Sequence, residues 1–183
     1  MKELTQKVLK ELLHYNPDTG VFTWKARGEK WLKSKYAIKT WNTRFAGKET
    51  IGSDGVGYAR IRVLGADYGA HRLAWLYATS KMPKGQIDHI NRNRKDNRIA
   101  NLRQSTCTQN HANANIFSNN TTGFKGVRAN KKTSGWCAYI TSKGISYYLG
   151  RYSSKIEAAK AYDKKAIELH GEYAATNEML GLI

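Results

Sequence analysis

Residues 87–103 read IDHINRNRKDNRIANLR. A carboxylate, Asp88, stands directly before an imidazole, His89, and a basic, asparagine-rich run follows. These residue types suit phosphodiester hydrolysis. A neutral imidazole near pH 7 can take the proton of an attacking water. A carboxylate with amide oxygens suits a hard divalent cation, magnesium above all, which prefers oxygen ligands and keeps several waters. Side chains of neighbouring strand residues diverge. If the strand end twists, a base at His89 and a cation at Asp88 address opposite sides of one phosphorus, as in-line displacement requires. The bland alternative for an Asp-His pair is a surface turn or a capping pair, and the downstream spacing decides against it.

Composition agrees with a polyanionic substrate. The chain has 183 residues, 31 Lys plus Arg against 14 Asp plus Glu, a net charge of +17 and a pI near 9.9. Such a chain repels itself unless it meets a polyanion. Nucleic acid is the first candidate. Membrane is the second, but no run approaches the roughly 18 apolar residues of a spanning helix. The opening MKELTQKVLKELLHY carries charges inside its apolar pattern and does not read as a signal peptide. Cys107 and Cys137 form no C-x-x-C, which argues against a structural zinc site and against a secreted disulfide framework. The expectation is a soluble intracellular protein that meets double-stranded DNA, with no zinc and no membrane partner. Cys107 reads as a small core residue.

The charge is concentrated. Between Lys25 and Lys48 there are eight Lys or Arg and one acid, interleaved with Trp31, Tyr36, Trp41 and Phe45. Bases stack on such rings while cations track phosphates. The segment therefore reads as an irregular, DNA-contacting arm.

The elements that position the Asp-His pair follow from periodicity. Leu4, Val8, Leu12 and Leu13 share a helical stripe, predicting a helix over 4–14. Residues 16–20 (NPDTG) make a turn, and VFTWK a short strand. YARIRVL alternates and GADYG supplies a turn, predicting a hairpin. Ala70 to Ser80 reads as a buried helix stopped before Pro83. Residues 87–90 read as a strand, 91–100 as a loop and 101–103 as the return strand. Thr106 with Gln109 fits a capping box, opening a helix to about Ile116. His71 reads as packed or DNA-facing, and His14 and His170 as helix-terminal residues interacting with the dipole.

Residues 87–115, IDHINRNRKDNRIANLRQSTCTQNHANAN, resemble the HNH nuclease motif, a beta-beta-alpha-metal fold, in its asparagine-rich phage and intron-encoded homing form. Three separated elements carry the likeness: D-H-I, D-N-R-x-x-N-L-R and Q-N-x-x-N. The resemblance implies that Asp88 and Asn110 bind magnesium, with manganese as a substitute, and that His89 is the general base. It implies that Asn101 fixes the loop and orients His89 through a hydrogen bond, although Asn101 could also simply end a strand. His111 neighbours Asn110, and Asn110 is favoured as the ligand. Arg92, Arg94, Lys95 and Arg98 would hold the DNA backbone near the cut.

FSNNTTG, residues 117–123, reads as a linker between a nuclease domain over 1–116 and a second module over 124–183. FKGVR, WCAYIT and SYYLGRY are strand candidates, followed by a helix with an apolar stripe of Ile156, Ala159, Tyr162, Ala166 and Leu169. The fold class is thus α+β: a beta-beta-alpha-metal domain, then a small three-stranded antiparallel sheet packed on one helix. Val127, Trp136, Ala138, Ile140, Leu149 and Tyr152 are assigned to the sheet–helix core. The other face offers Lys125, Arg128, Asn130, Tyr139, Thr141, Tyr148 and Arg151 to a DNA groove. GVR, YYLGRY and EAAKAYDKKAIELHG resemble the Apetala-type (ethylene-response-factor) DNA-binding domain, although several arginines common on its sheet are here Thr141, Ser146 and Tyr148.

The resemblance implies a homing-type endonuclease of a phage or bacterium, acting in the bacterial cytoplasm. One site per chain predicts a nick by a monomer, or a double-strand break by a homodimer. The competing readings are a DNA-binding regulator with an inert nuclease site, and an RNA-directed protein.

Overall fold

In the computed structural model, Leu13 and Tyr15 turn inward on either side of an exposed His14. The structure describes residues 3–50, 52, 55–130 and 134–183. Two compact units divide the chain, Met1–Gln104 and Ser105–Ile183. The stretch read as a linker lies within the second unit.

The first unit opens with α1, Gln6–Leu12, capped by the Thr5 hydroxyl, which accepts from Val8 N. The helix stops at Leu12 because the chain turns into β1, Leu13–Tyr15, which pairs antiparallel with β2, Phe22–Trp24. Leu13 and His14 are therefore strand residues, and His14 stands opposite Thr23 rather than at a helix end. The predicted irregular arm contains α2, Lys35–Phe45, capped by Ser34. Tyr36 stands open, but Trp41 and Phe45 are half-buried. Trp41 lies 5.6 Å from Trp24 and 5.2 Å from Phe45, and the Arg27 guanidinium sits 3.9 Å from the Trp41 ring centre.

β3, Arg60–Val63, and β4, Ala66–Gly69, form the expected hairpin. Its turn is Leu64-Gly65, both at positive φ (52° and 85°), so only the first glycine of GADYG lies in the turn and Ala66–Gly69 is strand. Two positive-φ residues match the twist of a two-residue hairpin turn. α3, Ala70–Thr79, ends at Ser80 in the left-handed conformation. β5, Gln86–His89, pairs with β6, Leu102–Ser105. A single 3-10 turn, Ile99–Asn101, leads into β6, so Asn101 precedes the return strand. The core joins Leu9, Leu12, Tyr15, Phe22, Leu73 and Leu76 to Ile87 and Leu102, the strand residues flanking the loop.

The second unit begins with α4, Cys107–Ala112, whose Thr106–Gln109 capping box is present on both sides. The helix ends at Ala112, short of the predicted 116, and Cys107 is exposed rather than in a core. β7, Val127–Ala129, β8, Trp136–Ser142, and β9, Ile145–Tyr152, make an antiparallel sheet in the order 7-8-9, with a bulge at Ala138/Tyr139. α5, Lys155–His170, opens with a Ser154–Glu157 capping box. Val127 and Ala138 pack on Ala158 and Ala159, with Trp136, Leu149 and Tyr152 against them. Ile140 packs on Tyr162 and Ala166. Ile156 is exposed, so the buried stripe begins at Ala158. Among the described residues no helix is long and apolar enough to cross a membrane.

Candidate active site

Asp88 and His89 occupy the end of β5, and both are buried, each 4% exposed. The paired strand β6 brings Arg103 to Asp88. The guanidinium donates from Nε and Nη2 to Asp88 Oδ2, each at 2.9 Å. A charge-assisted contact of this kind fixes the carboxylate's direction. Arg103 belongs to the N-L-R element, but its spacing alone gives no reason to pair it with Asp88.

The loop between the strands is built from its own amides. Asn91 Oδ1 accepts from Asn93 N, and Asn93 Oδ1 accepts from Lys95 N, two successive Asx turns. Asn101 closes the loop. Its Oδ1 accepts from Asn91 N, and its Nδ2 donates to Asn91 Oδ1 and Asp96 O. Asp96 accepts from the Arg98 side chain, from Arg98 N and from Asn91 Nδ2. The Arg98 hydrogen bonds hold its carboxyl far below the usual range. Asn101 thus ties the start of the loop to its end. The side-chain contact to the His89 ring comes from Asn97, whose Oδ1 lies 3.3 Å from His89 Nε2. Asn97 carries no signal that separates it from its neighbours in an asparagine-rich run.

Burial pushes the His89 imidazole below its ordinary value, and the Asn97 contact and the Asp88 charge pull it partly back. Burial thus favours the neutral ring. Two further rings flank it. His71 lies 5.3 Å away and Tyr58 5.9 Å, centre to centre. Gly69 makes room for His71, because a Cβ there would fall 2.6 Å from the His71 Cε1.

The loop cations divide. Arg94 covers the Tyr58 ring at 4.9 Å and donates to Val56 O. Arg98 is committed to Asp96, with its side chain half exposed. Lys95 is exposed, and Arg92 is half-buried at positive φ (64°). Asn110 is half-buried and His111 exposed on α4, which packs on α5 within the second unit. On the sheet, Arg128, Thr141, Tyr148 and Arg151 are exposed, and Asn130 and Tyr139 half-exposed. The Arg128 guanidinium lies 5.3 Å from the Tyr139 ring, and Tyr139 lies 5.2 Å from Tyr148. Lys125 leaves this group. Its ammonium donates to the carbonyls of Ala112, Ala114 and Ala175, so the unit uses it internally.

Among the described residues no three His, Cys, Asp or Glu side chains gather as a metal-binding set. One buried carboxylate beside an amide-rich loop instead suits a hard cation with few protein ligands.

A family profile described as HNH endonuclease matches residues 68–112, from β4 through α4. The chain is 33% identical over 111 residues to an uncharacterized HNH endonuclease of Acanthamoeba polyphaga mimivirus, covering 60% of this chain and 57% of that protein. It is 30% identical over 105 residues to Protein 3.8 of Escherichia phage T7, covering 57% of this chain and 86% of that protein. The chain thus spans little more than half the length of the mimivirus relative. No solved structure matches it.

Proposed function

The chain belongs to the HNH endonuclease family, and from that premise we propose that it hydrolyses DNA phosphodiester bonds in a metal-dependent reaction. The observation that carries this reading is a buried His89 held beside a buried Asp88 at one strand end. His89 takes the proton of the attacking water. Asp88 is a ligand to the cation, and the sequence motif assigns the second ligand to Asn110. Magnesium fits these oxygen donors; when bound, it would stabilise charge on the leaving oxygen. Arg103 fixes the Asp88 carboxylate, and Asn101 fixes the loop. Arg92, Arg94 and Lys95 lie on the loop to meet the DNA backbone, with Arg98 contributing beyond its Asp96 pair.

The second unit supplies an Apetala-type binding surface through Arg128, Asn130, Tyr139, Thr141, Tyr148 and Arg151. Homing is the role that this combination of modules suits, in the cytoplasm of a bacterial host. One site per chain makes a nick the elementary event, by a monomer or by each half of a homodimer.

A second reading, a DNA-binding regulator with an inert site, draws on one observation: the Arg103 guanidinium already neutralises Asp88. Supercoiled plasmid and phage genomic DNA, incubated with magnesium or with chelator, separate the two. Metal-dependent nicking lost in His89→Ala, with binding retained, supports the nuclease. Binding without cleavage in every arm supports the regulator.

A further inference from the structure

Asn97 sits where two parts of the first unit meet. It is 3% exposed, although it lies in a loop whose other residues are mostly open to water. Its side chain works inward on two partners. Nδ2 donates to Lys95 O at 3.1 Å, which orients the amide. Oδ1 is thereby turned to His89 Nε2 at 3.3 Å. An amide oxygen only accepts, so this contact requires the proton on Nε2. The Nδ1 lone pair is then the basic one.

The Asn97 backbone is gripped from the N-terminal hairpin. The Tyr15 hydroxyl, buried in the core, donates to Asn97 O at 2.7 Å across 82 residues of chain. The turn that follows β1 packs on the next peptide. Ile99 N donates to Pro17 O at 3.3 Å. Gly20, at φ +75°, lies so close that a Cβ there would fall 2.5 Å from Arg98 N and 2.6 Å from the Asn97 carbonyl carbon. Real Cβ atoms essentially never come that near backbone, so the approach requires glycine for space as well as for φ. Hydroxyl, carbonyl and glycine together set the height of one short loop segment.

We propose that Asn97 is a positioning residue for His89, and that Tyr15 and the 16–20 turn are the clamp that holds Asn97 in register. The Asn97 hydrogen bond fixes the Nε2–H tautomer and the ring's direction, leaving Nδ1 to take the proton of the attacking water. The N-terminal hairpin, outside the region matched by the family profile, thereby becomes part of the catalytic apparatus. The catalytic consequence rests on the nuclease reading; the tautomer does not.

The test is made on the full chain. Nitrogen-15 NMR of histidine-labelled, metal-free protein, above the histidine titration range, reports which ring nitrogen of His89 carries the proton. The wild type is expected to show Nε2–H. Asn97→Ala is expected to lose it, giving the other tautomer or a mixture, while Asn97→Asp, which keeps an accepting oxygen, retains it. In magnesium-dependent plasmid nicking, Asn97→Ala should lower kcat roughly ten- to a hundred-fold, the usual cost of losing a group that orients a site residue, with KM for DNA unchanged. Tyr15→Phe deletes one hydroxyl without opening the core; it should move the tautomer signal in the same direction and to a smaller extent, which keeps the test alive if Asn97→Ala unfolds. A wild-type Nδ1–H tautomer, or a His89 signal indifferent to both variants, overturns the proposal. If the signal moves as expected but the wild type cuts nothing, the nuclease reading fails and the positioning role stands.

Discussion

The loop over residues 91–101 and the outer face of the β7–β9 sheet are made of similar material, and they use it in opposite ways. Both carry arginine and amide side chains, and each sets an arginine over a tyrosine. In the loop, Asn91, Asp96, Asn97 and Asn101 spend their polar atoms on one another and on the backbone. On the sheet, Arg128, Thr141, Tyr148 and Arg151 project into solvent. A group that must meet one atom needs its direction settled before the substrate arrives. A surface that meets a long polyanion can let the ligand complete its bonds. Internal satisfaction of the loop thus marks a place where geometry matters, and exposure of the sheet marks one where charge and reach matter.

The sharpest break of this comparison is at His89. His89→Ala should reduce magnesium-dependent cleavage by about 10²–10⁴, the usual worth of a positioned general base, while DNA retention in a gel shift stays near wild type. Arg128→Ala with Arg151→Ala should do the converse and weaken binding while the chemical step on bound DNA persists. A His89→Ala protein that binds as poorly as it cuts would erase the distinction.

The next largest effect lies beneath the loop. Arg103→Met removes the cation from a buried carboxylate. Breaking such a pair costs roughly 3–5 kcal/mol because the remaining charge is left uncompensated. Urea unfolding of the full chain measures it. Arg151→Met on the sheet, judged the same way, should stay within about 0.5 kcal/mol, as exposed substitutions do.

How much of this could be read from the chain depends on whether the deciding partner is near in sequence. The Thr106–Gln109 and Ser154–Glu157 boxes are local, and both form. The sheet–helix core around Val127, Ala138 and Leu149 follows from alternation, and it packs as read. α2 has Ile38, Trp41 and Phe45 at helical spacing, but none of its residues is fully buried and the many cations among them suggest an irregular arm. Leu64 at φ 52° is a conformation that leucine does not advertise. At the site, spacing singled out Asp88 and His89. It had no means of choosing among Asn91, Asn97 and Asn101 for the ring contact. That choice is made by loop closure, and the closure depends on Tyr15, far away in the chain. Lys125 turns inward for the same reason: its carbonyl partners come from two separate segments, 112–114 and Ala175.

Salt gives a finer test of the sheet. Each phosphate contact releases counterions, and its loss lowers the slope of log affinity against log salt by about one. Arg128→Ala and Arg151→Ala should each remove about that much, whatever the DNA sequence. Arg98→Ala should remove less, since its guanidinium is already committed to Asp96.

The smallest effect separates charge from shape within the loop. Asp96 has its folded pKa pulled well below the ordinary 3.8, chiefly by the Arg98 hydrogen bonds. For a carboxyl depressed on folding, the unfolded chain binds the proton more readily. The contribution is therefore fully present above the unfolded value and is lost as pH falls through the folded one. Asp96→Asn keeps the outline of the side chain and deletes the charge. The wild type should melt higher than Asp96→Asn at pH 7, and the gap should narrow as pH drops below 3.8. Added salt should shrink the gap at pH 7 only in part, because Asp96 is also held by neutral bonds from Asn91 Nδ2 and Arg98 N. A gap that salt abolishes would make Asp96 one more surface charge, and the loop would then differ from the sheet less than its hydrogen bonds imply.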